Sequence, residues 1–330
     1  MISRKCGGLR RIAAGVVMLA ALVSPTLADD WPNRPITMVV PYPPGGSIDI
    51  IGRMVAQKLQ ESLGQTVVIE NRPGAAGTIG AGVVSRATPD GYTILMSASV
   101  HVISPYILKT TQFDPVDSFG GITEIASGPL LITTNLKNPA KNIAEFVRLA
   151  KQNPERFTFS TSGYGAAGHL AVELLRRIAS PDKSKTTLVN FNGAAPALTQ
   201  LMVGDIDILI DPVPSSYPFV AAGNLRALGV TGSKRISLMP EVPTVTELGL
   251  PELEFYSWYG LWGPKGLPRA IAERLSAEVK RIVATPEIAK RLAESGFEAR
   301  GTSPEDFSKY LVQERDKYKK ILTDLDISAR

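Results

Sequence analysis

At 330 residues, the chain is long enough for two hydrophobic cores, and one Cys and two His are too few for a disulfide framework or a Cys/His metal cluster. It carries 36 Lys plus Arg against 31 Asp plus Glu, a formal charge of +5. That excess does not mark a nucleic-acid or anionic-membrane binder. Four of the basic groups are Arg4, Lys5, Arg10 and Arg11, and without them 32 face 31.

Those four residues open a secretory leader. An unbroken apolar and small-residue run from Ile12 to Val23 follows, then Ser24-Pro25 and the small-residue site Thr26-Leu27-Ala28. The run is too short for a stable membrane anchor, so cleavage after Ala28 and export are expected. Cys6 leaves with the leader. The mature chain then has no lipid-attachment cysteine and no thiol chemistry, which suits an oxidising compartment. No later stretch reaches about 18 unbroken apolar residues, so no spanning helix is expected.

Short β-branched runs alternate with amphipathic segments, which predicts α/β layers with parallel strands. Ile36 to Val40 is the first strand. It enters Pro41-Tyr42-Pro43-Pro44-Gly45-Gly46, after which Ser47 is expected to cap a helix carrying Ile48, Ile51, Val55 and Leu59 on one face. Thr66 to Ile69 is the second strand, followed by the Gly-rich loop from Asn71 to Gly77 and a helix to about Arg86. Tyr92 to Ser97 is the third. The pattern resumes with a strand at Leu130 to Thr134, a helical stripe of Ile143, Phe146, Val147 and Ala150, and a strand at Phe157 to Thr161. The loop Ser162 to Gly168 precedes a helix to Ile178. Strands at Thr187 to Phe191, Ile206 to Ile210 and Leu225 to Val230 complete this half, with a helix through Met202. The remainder reads as mostly helical: Pro268 to Ala284, a helix opened by Thr285-Pro286-Glu287, and a last one started by the capping box Ser303-Pro304-Glu305-Asp306.

Each Gly-rich loop follows a strand and precedes a helix. At that edge of a parallel sheet, amides and helix N-termini converge and favour an anionic or carbonyl-rich small ligand. Gly163-Tyr164-Gly165-Ala166-Ala167-Gly168 has the dinucleotide spacing, but the next strand ends in Asn190-Phe191-Asn192 where a ribose-binding acid is wanted, so no nicotinamide cofactor is expected. No G-x-S-x-G elbow and no phosphate-binding P-loop occurs. His101 and His169 are too far apart in sequence to suggest a metal site. His101 reads as structural, and His169, at a helix start, either satisfies itself locally or contacts a ligand. Asp49, in a first helical turn, stabilises the macrodipole without needing a ligand. Asp211 follows Asp205 and Asp207 along one strand. It either caps the helix beginning near Ser215 or faces a cleft.

The loops, taken together, resemble a known family. Trp31-Pro32-Asn33-Arg34-Pro35-Ile36, Tyr42 to Asp49, Glu70 to Gly77, Pro89-Asp90-Gly91-Tyr92-Thr93 and Gly193 to Ala197 follow the order seen in Bug-type receptors. So do Gly204-Asp205-Ile206-Asp207, Pro240 to Thr244 and Trp258 to Pro264. These are the periplasmic substrate-binding proteins of tripartite tricarboxylate transporters. The resemblance spans nearly the whole mature chain. It implies a two-lobed type II periplasmic-binding fold with a ligand cleft between the lobes, a bound organic carboxylate, no cofactor, no metal and no catalysis. Residues 29–125 and 240–330 would form one lobe and 126–239 the other. Tyr42, Pro43, Gly45, Gly46 and Asp49, with Gly74, Ala75, Gly77, Thr78 and Ser97, would hold the ligand from lobe one. Ser162, Gly163, Gly165, His169, Asn192, Ala194, Ala195 and Asp211 would meet it from lobe two. Tyr164 adds an aromatic that favours a ring-bearing or longer acid. A monomer serving a membrane permease is expected. A sensor protein is the alternative partner, and a periplasmic enzyme with Asp211 and His169 as acid and base is the rival from another class.

Overall fold

The computed structural model describes residues 31–327, residue 110 excepted, so the leader and its cleavage site lie outside the described residues. Strand β1 (Ile36–Val40) lies parallel between β2 (Val67–Asn71) and β3 (Thr93–Ala98). Helices α1 (Ser47–Leu63) and α2 (Thr78–Ser85) make the crossovers, and the short α3 (Val100–Ile103) follows β3. The long strand β4 (Phe119–Asn135) leads to α4 (Ile143–Gln152), β5 (Thr158–Thr161), α5 (Ala167–Ala179), β6 (Thr187–Asn190) and α6 (Ala194–Val203). Then come β7 (Ile208–Pro212), α7 (Val213–Ala221), β8 (Leu225–Val230) and β9 (Tyr256–Pro264). The chain closes with α8 (Arg269–Val283), α9 (Pro286–Ala293), β10 (Glu298–Ala299) and α10 (Pro304–Asp324).

The strands form one continuous sheet in the order β2-β1-β3-β9-β4-β7-β5-β6, with β8 and β10 also pairing β4. Its two halves share β4 alone. From Phe119 to Pro129 that strand pairs β9, and from Leu130 to Thr134 it pairs β7. The second connection between the halves runs through Thr231. Its amide donates to Leu130 O, its hydroxyl donates to Phe255 O at 2.5 Å, and the Leu130 amide donates to that hydroxyl at 2.8 Å. Both chain crossings are thus tied at one fully buried side chain.

Ile36, Met38 and Val40 on one face of β1 pack with Leu59 of α1 and with Leu275 and Val279 of α8. A larger cluster covers the opposite face and continues into the second half, joining Trp258, Trp262 and Phe307 to Phe146, Phe159 and Leu170. Strand β1, flanked on both edges and buried at four of its five positions, therefore reads as a near-continuous apolar run, whereas the edge strands β2 and β6 are partly exposed.

Several expectations change. The predicted strand at Leu130 to Thr134 is the second half of one seventeen-residue strand, and β9 is a central strand where no strand was expected. Ser47 does not cap α1: the cap residue is Gly46, and no side chain caps that end. Strand β7 runs two residues later than expected, through Asp211 to Pro212. The Ser303 capping box forms as expected, with its hydroxyl accepting the Asp306 amide.

Candidate functional site

Two loops of the first half of the sheet leave the C-terminal ends of β1 and β2, and two of the second half leave those of β5 and β6. The first loop follows β1. Pro43, Gly45 and Gly46 are exposed at its tip, and Gly45 takes φ +86°, a left-handed conformation that side chains tolerate poorly. Gly46, at φ −76°, has no such need. Asp49 organises this loop from within. Its buried carboxylate accepts the Gly45 amide, the Arg53 guanidinium and the Asn71 side-chain amide, each at 2.9 Å. Burial pushes its pKa up, but the bonds from Arg53, Gly45 and Asn71 outweigh burial and hold it below the usual carboxylate range. Since Asn71 also donates to Tyr42 O at 3.1 Å, Asp49 locks the first two loops together. Its part is to shape the loops, with its lone pairs already engaged.

The second loop is strained. Ala75 and Ala76 take φ +45° and +50°, and Gly77 takes +91°. The Tyr42 hydroxyl fixes the turn by donating to Ala76 O at 3.2 Å, and Thr78 donates to Ala75 O at 2.8 Å. A Cβ on Gly77 would lie 2.5 Å from the Tyr42 hydroxyl oxygen. Gly74 and Ala75 are exposed. Ser97, at the end of β3, is fully buried beside this phenol. Its hydroxyl is near enough to ease the ionisation that burial opposes, yet it makes no hydrogen bond among the described residues.

On the other side, Ser162 and Gly163 follow β5, and the Gly193 amide donates to Ser162 O at 2.8 Å, which brings Asn192, Ala194 and Ala195 beside them. Gly165 turns towards α3, where a Cβ would lie 2.6 Å from Ile107. His169 is buried. Its Nδ1 accepts the Gly165 amide at 3.4 Å, its Nε2 lies 3.9 Å from Glu173, and Tyr164 packs on its ring at 4.6 Å. It therefore braces the loop from below, the local role weighed for a helix-start histidine. His101 is structural: Nε2 faces Pro115 O at 3.2 Å, among Phe113, Phe119 and Trp262, and burial lowers its pKa to about 4.

Asp211 does not cap α7, whose cap residue is Pro212. Its carboxylate is 3% exposed. Oδ1 accepts a short hydrogen bond from the Ser162 hydroxyl, and Oδ2 has no partner among the described residues. Burial raises its pKa to about 6, against the weaker pull of the Ser162 and Ser215 hydroxyls. It also lies within electrostatic range of Tyr259, whose hydroxyl donates to Ser47 Oγ at 3.0 Å and accepts from Ser257 at 3.3 Å. Ser47, Ser257 and Tyr259 thus link the first loop to β9. Ser257 and Tyr259 were not among the residues expected at the site. The one available signal was the polar side chains alternating with Trp258 in an otherwise apolar aromatic run.

The site is built of loop amides, helix N-termini and hydroxyl groups, and the arginines at its first two loops, Arg53 and Arg72, are paired with Asp49 and Glu70. Among the described residues no acidic or histidine cluster suits a metal ion, and no helix is long and apolar enough to cross a membrane.

Residues 51–327 match the family model described as the tripartite tricarboxylate transporter family receptor. A protein of Pseudomonas sp. strain P51, named for the tcbD–tcbE intergenic region, is 35% identical over 100% of this chain and 99% of its own. The solved R. palustris protein Rpa4515 with adipate is 32% identical, covering 91% of this chain and all of its own, with a TM-score of 0.83. MatC from Rhodopseudomonas palustris, solved with bound malate, is 28% identical over 88% of this chain and all of its own, with a TM-score of 0.78. The chain belongs to the tripartite tricarboxylate transporter receptor family, as its Bug-type loops implied, and has that family's two-lobed α/β solute-binding fold.

Proposed function

We propose that this receptor captures a small organic carboxylate in the cleft between its lobes and presents it to a membrane permease of the tripartite type. The observation that carries the reading is that four glycine-rich loops, each following a parallel strand, lead into the N-termini of α1, α2, α5 and α6, with Gly45, Gly46, Gly74, Ala75 and Asn192 exposed. Amides and helix dipoles there supply positive potential, while Arg53 and Arg72 are already paired with Asp49 and Glu70. The adipate and malate held by its structural relatives are ligands of that class. Gly46, Gly74 and Ala75 would face the ligand from one side, held in place by Gly45, Gly77 and Thr78, whose own amides donate to Asp49, Gly74 and Ala75, and Ser162, Gly163, Asn192, Ala194 and Ala195 would close over the other. Tyr42, Pro43, Asp49, Gly165 and His169 would shape those loops, with Ser97 and Asp211 on the floor.

The lobes would comprise residues 29–125 with 240–330, and 126–239. The protein would act as a periplasmic monomer after cleavage at Ala28. It would be no enzyme but a solute receptor like its family, with His169 holding the Gly165 amide and lying 3.9 Å from Glu173. Native mass spectrometry of protein purified from periplasm, followed by calorimetry with the released compound, tests the function. A bound carboxylic acid is expected. A neutral sugar or an amine without a carboxyl group would refute it.

A further inference from the structure

We propose that Asp211, with Ser162, is a specificity element that makes this receptor select carboxylic acids bearing a hydroxyl or ammonium group over their unsubstituted analogues. The inference rests on the carboxylate reading above and assigns that ligand a second feature.

Asp211 sits at the C-terminal end of β7, bonded to the lobe-two loop through Ser162 and within electrostatic range of Tyr259, which bonds Ser47 of lobe one. It is almost wholly buried, yet among the described residues only one oxygen has a hydrogen-bond partner. A carboxylate is an acceptor on both oxygens, and a buried lone acceptor is costly to leave unpaired. Among the described residues no cation acts on it: the influences are burial and the Ser162 and Ser215 hydroxyls. It caps no helix and pairs with no strand through its side chain, so the fold does not account for a charged group here. Asn would serve the Ser162 bond equally well.

Among the described residues no hydrogen bond reaches Oδ2, although the Ser215 hydroxyl lies near enough to act on the carboxyl. A ligand hydroxyl or ammonium group supplies that bond while its carboxylate rests on the loop amides. An unsubstituted acid supplies none and brings a second negative charge towards the first. The site therefore discriminates by repulsion as well as attraction. The serine and tyrosine hydroxyls around Asp211 can donate or accept, so they adapt to either polar group without fixing which one binds.

Matched acids test this by calorimetry at pH 7.5: succinate, L-malate and L-aspartate, then glutarate, 2-hydroxyglutarate and L-glutamate. In at least one series the unmodified protein should bind a donor-bearing acid about tenfold or more tighter than the plain one, the span of one hydrogen bond to an ionised group. Asp211→Asn should shrink that ratio to within about threefold, mainly by improving the plain acid. A ratio already within about threefold in the unmodified protein, or one preserved in the Asn variant, overturns the inference and leaves the carboxylate reading standing. No binding of any of the six acids by the unmodified protein overturns the inference too; the carboxylate reading is then decided by the co-purified compound. The variant's thermal transition, measured in parallel, separates lost selectivity from lost folding.

Discussion

Asp211 works against the stability of the protein that holds it. Its pKa rises from 3.8 to about 6 on folding. For a carboxyl so perturbed, the favourable contribution is full below the unfolded pKa and is lost as pH rises through the folded one. At about 1.4 kcal/mol per unit, ionising it inside the fold costs about 3 kcal/mol. Asp211→Asn should therefore raise unfolding free energy by about that amount at pH 7.5 and by almost nothing at pH 4, measured by urea titration at both. Equal effects at the two pH values would show that the buried charge is not the cause. The second loop offers a comparison between neighbours. Ala76 occupies a left-handed conformation that costs an L-residue about 1–2 kcal/mol, whereas Gly77 leaves room that the Tyr42 hydroxyl fills. Ala76→Gly should stabilise by about 1 kcal/mol, and Gly77→Ala should destabilise and weaken ligand binding together. Stability changes of the same sign would contradict this account of the loop.

Among the elements, β4 and the segment at Thr231 carry the connection between lobes. Removing the Thr231 hydroxyl orphans the Leu130 amide and the Phe255 carbonyl, both in buried surroundings. Thr231→Val, nearly isosteric, should cost about 3 kcal/mol, while Thr231→Ser should cost under about 1. Thermal unfolding of both variants measures the difference, and an unaffected Val variant would mean that the hydroxyl bonds are dispensable. The same elements show where the sequence was opaque. The β-α-β units were legible because each has a β-branched run, a Gly-rich turn and a periodic helix. The first half of β4 was not, since Gly120, Gly121, Gly128 and Pro129 read as loop. Gly128 is a strand residue because Phe297 and the Gly296 carbonyl occupy the space of its side chain, at 2.5 and 2.6 Å from a Cβ. That information lies in the turn between α9 and β10, far along the chain. Strand β9 hid similarly: Gly260 and Gly263 interrupt its aromatic run, and its partners β3 and β4 lie far from it in sequence. Of the site, the amide-bearing loops could be read directly, whereas the Ser47–Tyr259–Ser257 chain could not. It depends on β9 being placed between β3 and β4.

Across the whole molecule, the buried acids predict an unusual response to pH. Glu124 rises to about 7, pushed by burial against the pull of Arg300, and Asp211 to about 6. Asp49 and Asp114 are lowered: in each, hydrogen bonds overcome burial. The first pair stabilises the fold below pH 4 and loses that contribution as pH rises through 6 and 7. The second pair contributes above pH 4 and loses it in acid. The opposed slopes place the maximum of these four contributions near pH 4, where the lowered pair is ionised and the raised pair still holds its protons. Calorimetric midpoints from pH 3 to 8 should peak near pH 4 and fall towards pH 8, and a midpoint climbing steadily to pH 8 would contradict the assignment of Glu124 and Asp211.

The position of β9 between β3 and β4 also dictates an order of assembly. A chain emerging from its N-terminus presents β1, β2 and β3 first, yet β3 finds its second neighbour only when residues 256–264 arrive. Strands β5 to β8 need nothing later than the second half of β4, which precedes them. The lobe begun first is thus finished last, and until then the β3 edge stays open to mispairing. Pulsed hydrogen exchange during refolding should protect β5 and β7 amides before those of β3. Simultaneous protection would mean that the two halves condense as one. Until its last third is available, the molecule has a completed half and a waiting one, and a helper that covers bare strand edges would find its binding site on β3.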